Sequence, residues 1–143
     1  MCMALYLATD EPVSGHAWSQ ARPSFNIQPL TEGEQLVRSQ FSKPNVVYLG
    51  AHTGCSCGFS YGHDPLETPE DREEDETARR VVALLRTFLE ERLEHAGSVE
   101  LFACWEGGEQ AEPEERLDVT PSHFGGESFR LPERRFYVVR RAG

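Results

Sequence analysis

Apolar and polar positions along this chain switch between a period of two, a helical period and no period at all, and the switches mark its elements. Cys2 to Ala8 is a compact apolar run that predicts a strand, and the polar, proline-containing stretch Thr9 to Ser24 predicts a long loop. Phe25 to Leu30 alternates and predicts a second short strand. Thr31-Glu32-Gly33-Glu34 then has the spacing of a capping box, in which the Thr31 hydroxyl and the Glu34 carboxylate satisfy donors that a first helical turn leaves free. A short helix is expected to follow and to end before Pro44, with Leu36, Val37 and Phe41 on its apolar face. Asn45 to Ala51 holds Val46, Val47, Tyr48 and Leu49, a continuous apolar run that reads as the central strand, buried on both faces.

Thr68-Pro69-Glu70-Asp71 opens the strongest helical pattern, with a capping threonine, a proline whose missing N–H costs nothing there, and acids at the positive end of the helix dipole. Ala78, Val81, Val82, Leu85, Phe88, Leu89, Leu93 and Ala96 form one stripe, and Gly97 is a natural stop. A helix over 69–96 would be roughly 42 Å long at 1.5 Å per residue, so its acidic first turns should project into water. Asp75 with Arg79 and Glu76 with Arg80 are favourable pairs there. Ser98 to Glu106 predicts a strand with Val99, Leu101, Ala103 and Trp105 on one face and Phe102 and Cys104 on the other. Glu109 to Arg116 reads as an acidic mobile loop, Thr120-Pro121-Ser122-His123 as a single capped turn, and Phe136 to Val139 as the last strand.

The expected order is β-β-α-β-α-β-β, an α+β sandwich-like single domain over residues 1–143 with a mixed four- to five-stranded sheet packed by two helices. The strands at 45–51 and 98–106, joined by the long helix, should run parallel with a right-handed crossover. Ligands in such sheets gather at the carboxyl ends of the strands, which places a site at the Gly50 to Asp64 loop beside Cys104-Trp105-Glu106.

Composition narrows the functions. With 143 residues, 24 acids against 14 bases and a net charge of -10, the chain repels phosphate backbones and anionic lipid surfaces, so neither nucleic acid nor a membrane is expected as a partner. The exception is the C-terminal segment, where Arg130, Arg134, Arg135, Arg140 and Arg141 outweigh Glu133; a strand with basic flanks balancing the acidic remainder accounts for it. Lys43 is the one lysine, which disfavours lysine chemistry. The opening residues lack a basic export region, so the expected compartment is the reducing cytoplasm, where four cysteines serve as thiols, metal ligands or catalytic groups.

The chemistry concentrates in His52-Thr53-Gly54-Cys55-Ser56-Cys57, followed by His63. Imidazole and thiol are the ligand types that zinc and copper prefer, and interleaved glycines let a loop close on an ion. The expected ligand set is His52, Cys55, Cys57, His63 and Cys104, with zinc as the candidate ion. Loss of the intervening Ser56 hydroxyl is expected to matter far less to that ion than loss of the Cys57 thiol. The spacing departs from structural zinc sites, which pair cysteines two to four residues apart and repeat the pair.

Other readings use the same atoms. Cys55 and Cys57 can close a small, strained and easily reduced disulfide ring. A thiol hydrolase would need an imidazole from His16, His52, His63 or His123 beside its sulfur. Removal of Met1 would leave Cys2 with both thiol and free amine, the arrangement of N-terminal nucleophile hydrolases. The Met1-Cys2 start superficially resembles that of class II glutamine amidotransferases; the resemblance covers those two residues and carries no role to any other. Trp18, Phe59, Tyr61 and Trp105 can line an apolar pocket near the loop. From a different class, the acidic surface can belong to a non-catalytic interaction protein that binds a basic protein partner.

Overall fold

The computed structural model describes residues 2–142, which form one α+β unit around a six-stranded mixed sheet. The strands are β1 (Met3–Thr9), β2 (Asn26–Pro29), β3 (Asn45–Gly50), β4 (Ser98–Trp105), β5 (Glu115–Val119) and β6 (Arg135–Arg140), and the long helix is α1 (Pro69–Arg92). Their spatial order is β2-β3-β1-β4-β6-β5. β1 is antiparallel to both β3 and β4, so those two run in the same direction with β1 inserted between them. The parallel relation expected of β3 and β4 is present, but they are not neighbours.

The sheet has two working faces because side chains alternate along each strand. Leu5, Leu7, Leu49, Val99, Leu101 and Val139 point to the face covered by Ala78, Val81, Val82, Leu85 and Leu89 of α1. Ala4, Tyr6, Phe102, Cys104 and Phe136 point to the other, where Val37 and Phe41 cover them. Every residue of β1 is buried, so β1 and β4 form the centre of the sheet. This corrects the expectation for β3, which lies second from the edge and is only half-buried at Asn45, Val47 and Tyr48.

Four further expectations need revision. The segment after Thr31 is a helix of the tighter 3-10 kind, Glu32–Gln40, held at its start by a hydrogen bond from Thr31 N–H to Glu34 Oε1 at 2.9 Å. The other Glu34 oxygen accepts the Tyr6 hydroxyl at 2.8 Å, tying this helix to the sheet. The α1 helix ends at Arg92, short of Gly97, and the Arg141 guanidinium donates to the carbonyls of Leu93 (Nε, 3.0 Å) and Glu94 (3.2 Å) just beyond it. A sixth strand, β5, occupies part and beyond of the stretch read as a mobile loop. With only Leu117 and Val119 apolar it gives a weak strand pattern; its parallel ladder to β6 and the packing of those two side chains hold it, with Arg135–Glu115 and Arg140–Asp118 alongside at 2.8 Å. Of the two pairs expected on α1, Asp75–Arg79 forms at 2.7 Å, whereas Arg80 meets the Thr77 hydroxyl.

One buried charge lies in the sheet. Glu100 of β4 is fully satisfied, its carboxylate accepting Ser42 N–H at 3.0 Å, the Ser42 hydroxyl at 2.8 Å and Lys43 N–H at 3.2 Å. The apolar seam between α1 and the sheet is what a charge would most damage. Leu85→Asp, at a fully buried position, is expected to cost about 3 kcal/mol or more; an unchanged thermal midpoint would show that the helix docks by another face.

Candidate metal centre

The site grows from a gap in the sheet. The β1–β3 pairing ends at Leu5 and Leu49, and beyond it the chain from β3 turns back and pushes a short 3-10 turn, Ser56–Gly58, into the space beside β1. Ser56 is buried there. Its hydroxyl oxygen accepts Leu5 N–H at 2.8 Å and donates to Leu49 C=O at 2.7 Å, so one side chain spans both strands. Its own N–H donates to the Tyr48 hydroxyl at 3.0 Å. The loop closes on itself through Ala51 N–H to Cys55 C=O at 3.0 Å and Gly54 N–H to Ala51 C=O at 2.9 Å. Two glycines permit this. Gly54 has φ +89°, the left-handed region, with the Trp18 ring packed over it, and a Cβ on Gly58 would lie 2.7 Å from the Ala51 Cβ.

The consequence is a meeting of residues distant in sequence. Because β1 runs opposite to β3 and β4, its first residues lie at the edge where those two strands end. Cys2 C=O accepts Glu106 N–H at 2.9 Å just past β4, and Met3 N–H donates to Cys57 Sγ at 3.2 Å. The sulfurs of Cys2, Cys55 and Cys57 all lie within 4.8 Å of one another, with Cys57 exposed and the other two half-buried.

The remaining residues of the expected ligand set lie elsewhere. His52 is buried, with Nε2 2.7 Å from Glu74 Oε1 on α1 and Nδ1 enclosed without a partner. His63 places Nε2 3.0 Å from Phe129 C=O. Cys104 is fully buried beside Ala4, Tyr6 and Phe136, and its sulfur is not among the three that lie within 4.8 Å of one another. Cys2 is the member that sequence reasoning weighed only as a terminal nucleophile. Its signal was its place at the start of the first strand, which becomes informative once the direction of that strand relative to β3 is known. Met1 lies outside the described residues.

Cys55, Cys57 and Cys104 have different electrostatics. At Cys55 burial opposes ionisation, yet the Thr53 hydroxyl, the Cys57 N–H and the neighbouring Cys57 and Cys2 thiols together hold its proton affinity below the ordinary thiol value. At Cys57 burial wins and, despite the Met3 N–H, pushes the thiol up to about 11. Burial pushes Cys104 to about 12, so that thiol is unreactive at neutral pH. Of the aromatic residues expected around the loop, Phe59 and Trp105 line a cavity of about 440 Å³ beside Cys57, together with Met3, Arg130 and Leu131. Trp18 instead donates its indole N–H to His52 C=O at 2.9 Å, and Tyr61 lies under the Arg79 guanidinium.

No known family model matches this chain, and no curated protein or solved structure is significantly similar to it. Among the described residues, no helix is long and apolar enough to cross a membrane.

Ser56 makes the geometry testable. Ser56→Ala leaves a buried N–H and a buried C=O facing no partner and is expected to cost about 2 kcal/mol or more. Urea denaturation together with amide exchange at Leu5 checks this; a parent-like midpoint and parent-like protection would rule out the hydroxyl as the bridge.

Proposed function

We propose that this protein binds a thiophilic transition-metal ion, zinc, through the thiolates of Cys2, Cys55 and Cys57. The observation that supports the reading is the mutual 4.8 Å approach of three sulfurs from two remote parts of the chain, all open to solvent in part. Sulfurs sharing a tetrahedral zinc at ~2.3 Å stand roughly 3.8 Å apart, so small side-chain rotations would close the group around an ion. The Cys55 thiol, already eased toward its thiolate, is the natural first ligand. A net charge of -10 draws cations toward the molecule.

Three protein ligands leave a fourth tetrahedral position for water or an added ligand, the arrangement of zinc sites that act on a bound molecule. The cavity beside Cys57 gives such a molecule room. His52 has the bonding of a ligating imidazole, one nitrogen held by a carboxylate and the other free. It stands outside the three-sulfur group, and the proposed set therefore omits it, His63 and Cys104.

Purified without chelators, the protein is expected to carry close to one zinc per chain. Cys2→Ser and Cys57→Ser should each weaken zinc by about 100-fold or more, given that even outer-shell losses cost ~10–100-fold, while His63→Ala and Cys104→Ala leave it unchanged. Saturating zinc at about 100 times its Kd should stabilise the fold by about 2.7 kcal/mol. The pH dependence has a definite sign. Cys57 keeps its proton up to about 11 in the free protein, so zinc must displace it at neutral pH, and affinity should fall at least about tenfold for each unit of acidification. Metal-free protein whose melting is unmoved by added zinc would refute the reading.

A further inference from the structure

We propose that the same three-thiol group is a site of reversible two-electron oxidation, in which Cys2 and Cys55 join as a disulfide and Cys57 remains a free thiol. The proximity of the sulfurs carries this, since atoms within 4.8 Å on partly exposed side chains need only modest rotation to reach the ~2.05 Å of a sulfur–sulfur bond. The choice of pair follows from how each sulfur is held. A Cys55–Cys57 bridge would close a ring across one intervening residue, and that residue is Ser56, pinned to β1 and β3 by its hydroxyl. Cys57 Sγ also accepts Met3 N–H, a bond it would surrender on turning toward a partner. Cys55 Sγ has a long 3.5 Å contact with the Thr53 hydroxyl and stands among the Cys57 N–H and the Cys2 and Cys57 thiols. Cys2 is thus already one of its partners, and a bridge to that remote segment before β1 closes no small ring. Cys104 is fully buried, and its sulfur is not among the three that lie within 4.8 Å of one another.

The oxidant is a hydroperoxide. The sulfur of one cysteine attacks the peroxide, breaking its O–O bond and forming a sulfenic acid; the departing oxygen takes the thiol proton and leaves as water or an alcohol. The second sulfur then displaces the sulfenic hydroxyl, which leaves as water with the second thiol proton. Two thiols and one peroxide thus become one disulfide, one water and one water or alcohol, and a dithiol reductant reverses the change. Because the bridge consumes two of the three sulfurs, the oxidised protein cannot hold a three-thiolate ion. That consequence rests on the zinc reading; the bridge itself does not.

The test treats reduced, zinc-free protein with hydrogen peroxide at one to a few equivalents, then alkylates free thiols after unfolding and maps the peptides by mass. The expected result is loss of the mass of two hydrogens, two free thiols remaining of the original four, and fragment ions linking Cys2 to Cys55 with Cys57 and Cys104 alkylated. Cys57→Ser should keep the bridge and Cys55→Ser should lose it, with circular dichroism confirming that both fold. Oxidation of single cysteines to sulfinic acid, a Cys55–Cys57 bridge, or links only between molecules would each overturn the proposal. Zinc retention by the reduced protein and its loss, at least about tenfold, on oxidation would tie the two properties together. A protein that forms the bridge yet never binds zinc would refute the metal reading alone, and one that binds zinc yet resists bridging would refute this proposal alone.

Discussion

The Ser56 hydroxyl, lodged between β1 and β3, is the contact on which the rest of the site depends. Where the two strands part, Leu5 N–H and Leu49 C=O would face an apolar interior without partners, a cost of about 1–3 kcal/mol each. One hydroxyl satisfies both. Since the hydroxyl can do this only if its backbone enters the gap, the residues on either side are carried with it. Cys55 and Cys57 thereby arrive at the start of β1, and Met3 N–H finds the Cys57 sulfur. Strand geometry, loop closure and the meeting of three thiols are consequences of one hydrogen-bonding demand.

Charge is organised by the same economy of partners. The C-terminal arginines serve the chain itself, two pinning the acidic edge strand β5 and one closing the end of α1. Surface pairs of this kind contribute little singly; β5 is held chiefly by its parallel ladder to β6 and by Leu117 and Val119 packing on the core. Two buried polar groups of the sheet are met by side chains and turns, Glu100 taking three donors from Ser42 and Lys43 and the Tyr6 hydroxyl reaching Glu34.

The four cysteines show how far environment separates identical side chains. Cys104 shares its face of the sheet with Phe136 and Tyr6 and is held neutral by burial. Cys55 and Cys57, one residue apart, are driven in opposite directions because donors converge on one sulfur while burial dominates at the other.

Local pattern determined much of this protein. The Thr68-Pro69 start and apolar stripe of α1, the faces of β4, the positions of β1, β2, β3 and β6, and the irregular loop after β3 follow from side-chain period and from glycine and proline punctuation. These depend on neighbours a few residues apart, which is why they can be read along the chain. Only the tertiary structure decided that β1 lies between β3 and β4, that β5 joins the sheet, that α1 stops at Arg92 under Arg141, and that Ser56 rather than a spacer is the pin of the loop. The same holds for the thiol group. Cys2 and Cys55 are brought together by strand direction, and His52, His63 and Cys104 are drawn to Glu74, Phe129 and the packing around Ala4, Tyr6 and Phe136 by partners far along the chain. Such contacts are settled by how buried donors and acceptors are satisfied across the whole sheet, and no window of consecutive residues contains that information.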